Sequence, residues 1–141
     1  MFNFIVRHLG FLKIFPGLAI LFDNWLKIYT LITQPHLLDW LDEIKLEVSE
    51  WDGVTVCTHK YGGIQFNKGD KELGHIHSNG LLDILLNRAL KQQLKTGNRI
   101  QDHHKFKNSG WISFYLREKD DITYALKLLR LAENKITKPV E

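Results

Sequence analysis

The sequence predicts an α+β fold in which helices pack on a single antiparallel sheet. Residues 54–85 contain short β-branched or alternating segments that are separated by glycine-containing turns, as in a meander of strands. Segments with apolar residues at helical spacing stand before and after this region. The 141 residues suffice for one hydrophobic core, and no internal repeat or long linker divides them. Helices flanking a run of short strands are typical of the α+β class.

The composition is that of an ordinary globular protein and argues against a nucleic-acid-binding function. Hydrophobic residues make up 44% of the chain, charged residues 25%, and the net charge is only +3. Lysines and arginines are spread along the sequence without a basic patch, so we expect no nucleic-acid partner. The single cysteine, Cys57, forms no internal disulfide, which fits a reducing compartment and a cytoplasmic location.

Residues 1–34 form an apolar N-terminal segment that we separate from a domain at residues 35–137. Pro16 is suited to a helix start, and Asp23, Lys27, Thr30 and Gln34 then follow as a narrow polar stripe on an otherwise apolar helix. Only nine uncharged residues separate Lys13 from Asp23, too few for a spanning helix. We therefore expect an amphipathic helix, held either at the inner face of a membrane or against its own domain or a second copy of the chain.

The elements of the second segment follow in order. Pro35 begins a helix with apolar residues at helical spacing up to Val48, and Trp51-Asp52-Gly53 ends that period. Strands are predicted at 54–58, 64–66, 71–77 and 111–116, and residues 81–85 form a further strand or lead into the next helix. That helix carries leucines at 86, 90 and 94, and Gly97 is placed to end it in a left-handed conformation. Asp120 or Asp121 caps the last helix.

The candidate site lies between Gly74 and Trp111, which contains four of the seven histidines. On a strand, His75 and His77 project from the same face, a spacing that suits metal ligation or paired acid–base chemistry. Asp83 follows the next turn and could orient a histidine, bind a cation or pair with Arg88. Arg88 in turn is either a solvated helix residue or a fork for an anionic oxygen.

A second group of candidates surrounds the later histidines. His103 and His104 are adjacent, so in extended backbone only one of them faces a given pocket. Ser109 lacks the context of a hydrolase nucleophile, and Trp111 is either a core residue or a wall of the site. We assign His75, His77, Asp83, His103 and His104 to catalysis, and Arg88, Ser109, Trp111 and Phe66 to substrate binding, with no metal ligand.

From Trp51 to Ala132 the order of these features resembles the luciferase-domain family, a former domain of unknown function that is widespread in bacteria and related to the fungal luciferases. The shared motifs are Trp51-Asp52-Gly53-Val54, Tyr61-Gly62-Gly63, Gly74-His75-Ile76-His77, Gly80-Leu81-Leu82-Asp83, His103-His104 and Ser109-Gly110-Trp111. One departure is Leu85-Leu86-Asn87-Arg88, which stands where the family commonly has Phe-Pro-Arg. The apolar N-terminal extension also resembles that of the fungal enzymes.

The resemblance implies an oxidoreductase of the monooxygenase type. Fungal luciferases oxidise a hydroxylated pyrone with molecular oxygen and release carbon dioxide and light, with no established metal or organic cofactor. The first hypothesis is therefore a cofactor-independent oxygenase for an aromatic or enolic small molecule, with O2 as co-substrate. His75 or His77 would remove the hydroxyl proton, and Asp83 would orient that base. Light emission is not carried over to this chain.

Two other functions stay open on the sequence. One is a non-catalytic module that binds a small ligand or a protein and is tethered at a membrane surface by residues 1–34, with structural histidines. The other is a metal enzyme that uses His75, His77 and either His103 or His104 as ligands.

Overall fold

The computed structural model of the protein describes residues 16–137. The first fifteen residues of the predicted N-terminal segment lie outside this range. In chain order the elements are α1 (Pro16–Thr33), α2 (Pro35–Ser49), β1 (Val54–Thr58), β2 (Ile64–Lys68), β3 (Lys71–Ile76), β4 (Leu81–Leu85), α3 (Arg88–Lys95), β5 (Gln101–Asp102), β6 (Trp111–Tyr115) and α4 (Asp121–Thr137).

All six strands pair antiparallel in one sheet of order β1-β2-β3-β4-β6-β5. The predicted α+β class with a single antiparallel sheet is thus confirmed. The meander holds for the first four strands, whereas β6 pairs with β4 and places the two-residue β5 at the edge. The sequence did not predict β5, because two residues carry no recognisable alternation.

The sheet has one face in the hydrophobic core and one face that carries polar side chains. Phe66, Ile84 and Ile112 are fully buried on the core face, where they pack with residues of α2 and α4 such as Ile44 and Leu128. Because side chains alternate along a strand, the residues between them point to the opposite face. The candidate site lies on that opposite face.

Helix α1 turns part of its polar stripe inward, while Lys27 of the same stripe is exposed. Asp23 and Thr30 of the predicted polar stripe are buried, whereas Leu21, Trp25 and Ile32 are exposed. Helix α1 packs on α2, and the side chain of Asp23 accepts a hydrogen bond from the Gly63 amide at 2.8 Å. Within residues 16–137, no helix combines the length and the apolar character that crossing a membrane requires.

Two local predictions for α3 are corrected by the structure. The helix begins at Arg88, so Leu86, which was predicted to lie in it with Leu90 and Leu94, precedes the helix. Asn87 caps the helix by accepting a hydrogen bond from the Leu90 amide at 2.7 Å. Asn87 lies in the stretch that departs from the family pattern, and it supplies a side-chain cap there. The left-handed conformation predicted for Gly97 is wrong: Asn98 adopts it, with φ of 52°. Asparagine tolerates this region better than most residues, so the helix end did not need the glycine.

Candidate functional site: a histidine–aspartate cluster on the open sheet face

Three strands place the centre of the site side by side. His75 of β3 lies opposite Asp83 of β4, and Asp83 lies opposite Ser113 of β6. Directly opposed residues project from the same face, so these side chains form one row across the sheet. Gly74 allows the close strand packing beside this row, because a Cβ there would stand 2.5 Å from the Asp83 carbonyl oxygen.

Asp83 is the centre of the cluster. Its Oδ2 lies 3.6 Å from Nε2 of His75, 3.8 Å from Nε2 of His77 and 3.6 Å from Nε2 of His103. The residue is 1% exposed, and its Oδ1 accepts a hydrogen bond from the Ser113 hydroxyl. Burial raises the pKa of the carboxyl group, although the Ser113 hydrogen bond and the charge of His75 oppose this effect.

His75 is oriented by Glu72. Its Nδ1 lies 2.6 Å from Oε1 of Glu72, so Nδ1 carries the proton and Nε2 faces Asp83. Burial alone would raise the pKa of Glu72, but the hydrogen bond and charge of His75 outweigh it and hold that pKa below its ordinary value. Glu72 reaches this face because the register shifts between Phe66 and Asn67, so that strict alternation fails along β3.

His77 follows the end of β3 and is the more accessible imidazole of the strand pair. Its side chain is 21% exposed, compared with 10% for His75. Its Nδ1 lies 3.9 Å from Oδ1 of Asp23, a residue of helix α1. The other carboxylate oxygen of Asp23 is held by the Gly63 amide at 2.8 Å and the Ser78 hydroxyl at 3.1 Å.

His103 lies in the loop before β6 and is buried. Its Nδ1 accepts hydrogen bonds from the Lys105 amide at 3.1 Å and the Phe106 amide at 3.3 Å. The ring proton is therefore on Nε2, which points at Asp83. Burial, followed by the neighbouring charges of His104 and His75, lowers the pKa of His103 to about 4, so the ring is neutral at pH 7.

His59 is a further member of the cluster that the sequence did not indicate. Its ring stacks on that of His75 with a centroid distance of 3.8 Å and an angle of 7° between the planes. Burial and the adjacent His75 lower its pKa to about 4. A neutral ring in this position shields one face of His75 from water.

Two further predicted residues, Trp111 and His104, contact the rings of the cluster. Trp111 lies on the site face, with ring centroids 5.8 Å from those of His75 and His103. His104 is exposed, and its ring stacks on His103 at 4.4 Å, because the backbone bends here instead of being extended as assumed.

The other three predicted substrate-binding residues lie outside the row formed by His75, Asp83 and Ser113. Arg88 is exposed at the first turn of α3. Ser109 is used within its own loop, where its hydroxyl donates to the Phe106 carbonyl at 2.6 Å. Phe66 lies in the core on the other face of the sheet, so it cannot wall off the cluster.

Two hollows adjoin residues of the cluster. One, of about 500 Å³, is lined by residues 105–109, which include the amides that contact His103. The other, of about 610 Å³, is lined in part by Ser113, Gln101 and Tyr115 on the site face. Neither hollow is lined by the three imidazoles themselves, which are packed against Asp83.

The fold and the cluster define an α+β domain with a histidine–carboxylate centre on the open face of its sheet. Residues 70–132 match the family model described as "Luciferase domain". The family resemblance is thereby confirmed for the segment that contains the whole Gly74–Trp111 region; the earlier motifs, up to Gly69, lie outside the match. No curated protein and no solved structure matches the chain significantly.

Proposed function

We propose that the protein is an oxygenase-type enzyme that oxidises an aromatic or enolic small molecule with O2 at the histidine–aspartate cluster. The observation that carries this proposal is the convergence of His75, His77 and His103 on one buried oxygen of Asp83, at 3.6–3.8 Å. Grouped imidazoles beside a desolvated carboxylate are suited to removing a proton and holding the resulting charge. The match of residues 70–132 to the luciferase-domain model supports an oxidation with O2.

The proposed chemistry begins at an acidic hydroxyl group of the substrate. The O–H bond breaks, the proton passes to the cluster, and the enolate carbon becomes electron-rich. This carbon donates an electron pair to O2, a C–O bond forms, and the oxygen is reduced to the level of a peroxide. The proton then returns to the terminal oxygen, which gives a hydroperoxide without any further reductant. In the cofactor-independent form of this function, the proton acceptor is Nε2 of His77, the more exposed ring of the strand pair.

The protein contributes mainly by placing these groups in a partly dry setting. Asp83 is 1% exposed and His103 5%, while Trp111 stands beside both His75 and His103. Exclusion of water strengthens the interaction between the carboxylate and a protonated imidazole. The cluster therefore stabilises the charge that develops when the substrate loses its proton.

The test is O2 consumption by the full chain with a hydroxylated pyrone as the probe substrate. We expect O2 uptake with the unaltered protein and a loss of at least about 100-fold in the His77→Ala variant, the range expected for removal of a proton acceptor. His36→Ala is the matched control, because His36 is exposed on α2 and contacts Trp40. Uptake that is equal in the two variants would refute the assignment of His77.

A second candidate function is a non-catalytic module that is held at a membrane surface, and helix α1 favours it. The apolar residues of this helix are exposed and include two aromatic side chains suited to the lipid interface; they are Leu18, Ile20, Leu21, Trp25, Ile28, Tyr29, Leu31 and Ile32.

Vesicle co-sedimentation tests this second candidate. We expect the full chain to sediment with vesicles of phosphatidylglycerol and phosphatidylcholine, and Trp25→Glu to reduce the bound fraction. Leu46→Glu is the control, because Leu46 is equally exposed, at 66%, but lies on α2. A full chain that stays in the supernatant would count against membrane binding. Protein that binds the vesicles and consumes no O2 would favour the non-catalytic module over the oxygenase.

A further inference from the structure

We propose that His75, His77 and Asp83 bind one divalent first-row transition-metal ion. One ligand atom from each residue lies within 4.8 Å of the other two, and the set comes from β3, the turn after it and β4. This goes beyond the proposed oxidation, because the ion can be measured without any substrate. It also replaces the ligand set expected from the sequence, in which a histidine of the 103/104 pair was the third ligand.

The first argument is the direction of the lone pair on His75. Its Nδ1 donates to Glu72 at 2.6 Å, so in the neutral ring the lone pair is on Nε2 and faces Oδ2 of Asp83 at 3.6 Å. A lone pair that faces a carboxylate oxygen is repulsive unless a proton or a cation lies between them. A carboxylate that holds the far nitrogen of a histidine is also the usual outer partner of a metal-binding imidazole.

His77 repeats this arrangement with a carboxylate from helix α1. Oδ1 of Asp23 is buried, accepts no hydrogen bond among the described residues and lies 3.9 Å from Nδ1 of His77. Its negative charge favours the proton on Nδ1, which leaves the lone pair of Nε2 directed toward Asp83 at 3.8 Å. Two imidazole lone pairs are thus directed toward one carboxylate oxygen.

Asp83 and His103 complete the assignment. The Ser113 hydroxyl occupies Oδ1 of Asp83, which leaves Oδ2 as the ligand atom. His103 is excluded as a ligand, because its Nδ1 already accepts two backbone hydrogen bonds and its Nε2 therefore carries a proton. It is suited instead to donate toward Asp83 from 3.6 Å.

The separations are compatible with coordination. Bonds of about 2.1 Å place neighbouring ligand atoms roughly 3.0–3.6 Å apart for angles between 90° and 120°. The separations of 3.6 and 3.8 Å to Asp83 therefore need a contraction of a few tenths of an ångström. The two imidazole nitrogens lie within 4.8 Å of each other, so bringing them to the 120° separation needs a contraction of at most about 1.2 Å. The alternative set of His59, Glu72 and His75 fits less well, since its two rings stack in parallel and Glu72 already accepts the His75 proton.

The donor set indicates the class of ion. Two imidazoles and one carboxylate that leave coordination positions open are typical of non-haem Fe²⁺ oxygenases, and zinc enzymes use a similar set. Fe²⁺ is the ion that agrees with the proposed use of O2. A bound cation would also lower the pKa of a substrate hydroxyl beside it. Because Nε2 of His77 would then bind the ion, it would not be the proton acceptor.

Metal binding by the full chain, without a histidine tag and after chelator treatment, tests the proposal. We expect one Fe²⁺ per chain in anaerobic calorimetric titration, and one Co²⁺ as an air-stable probe. His77→Ala and Asp83→Asn should each weaken binding by at least about 100-fold, and the outer-partner variant Asp23→Asn by about 10- to 100-fold. Circular dichroism of each variant in the presence of chelator shows whether the variant is folded. If Asp83→Asn is unfolded, the metal affinity of Asp23→Asn tests the proposal.

Two control variants make the result specific. His36→Ala removes an exposed histidine of α2, and Lys27→Ala removes an exposed residue of the helix that carries Asp23; both should bind metal as the unaltered chain does. No stoichiometric binding, or an equal loss in His36→Ala and His77→Ala, would overturn the metal site. O2 uptake by a chain that binds no metal would overturn the metal site and leave the oxidation standing. Metal binding without O2 uptake would confirm the site and reject the oxidation.

Discussion

Lys91 of helix α3 holds together the loop that carries His103. The residue is 2% exposed, and its Nζ donates at 2.8, 2.9 and 3.0 Å to the carbonyl oxygens of Lys107, Ser109 and Trp111, and lies 2.9 Å from Oδ1 of Asp102. One ammonium group therefore satisfies three backbone carbonyls and a carboxylate. We predict that Lys91→Met is strongly destabilising.

The magnitude follows from what the substitution leaves behind. Methionine fills the volume of the lysine stem but cannot donate, so three partly buried carbonyls lose a charged donor. Asp102 is 34% exposed and keeps its pairing with Lys95. Leaving a buried acceptor without its hydrogen bond costs about 1–3 kcal/mol, so we expect about 3–5 kcal/mol for the three carbonyls together. For a chain of this size each kcal/mol corresponds to about 3–4 °C in Tm, so we expect a decrease of roughly 10–20 °C.

Urea and thermal unfolding followed by circular dichroism provide the measurement, with Lys95→Met as the control. Lys95 lies one turn further along the same helix and pairs with the same Asp102, at 2.8 Å, but both side chains are more than 30% exposed. An exposed pair contributes about 0.2–1 kcal/mol, so this variant should shift Tm by no more than a few degrees. Similar small losses in the two variants would refute the role given to Lys91.

Two further predictions concern packing and pH. Gly110→Ala should reduce the free energy of unfolding by about 3 kcal/mol, because a Cβ at this position would stand 1.7 Å from the Leu86 carbonyl oxygen. In the control Gly97→Ala the added Cβ meets nothing closer than 3.5 Å, so this variant should be near neutral. Urea unfolding measures both variants. Hydrogen bonds from the two lysines of α3 lower the pKa of Asp102 from 3.8 to about 2, so the stability from this carboxylate is complete above pH 4 and is lost as the pH falls through 2. The difference in unfolding free energy between the unaltered chain and Asp102→Asn should therefore shrink from pH 4 to pH 2, and a constant difference would contradict the assignment.

The sequence was sufficient where one local pattern decides the structure. Alternation and glycine turns predicted four of the longer strands, and the His75–His77 pair was placed on a common face because a strand has a period of two residues. Ser113 could have been found in the same way, since it lies two residues after Trp111 on the same face.

The rest of the site depends on long-range packing that no local pattern encodes. Glu72 reaches His75 only through a register shift in the sheet, and strict alternation would place it on the core face. His59 joins the cluster through a turn, and Asp23 comes from a helix 55 residues before the Ser78 that it contacts. Lys91 looks like an ordinary surface residue of a polar helix until its partners in the following loop are known.

Asp23 has a consequence for how this protein is shortened for experiments. It accepts hydrogen bonds from Gly63, in the turn between β1 and β2, and from Ser78, in the turn between β3 and β4. A chain trimmed to begin at Pro35 would keep every strand but lose the one carboxylate that bridges these turns beside His77. Binding or turnover measured on such a fragment would describe a site with one side missing, and a negative result from it would say nothing about the full protein.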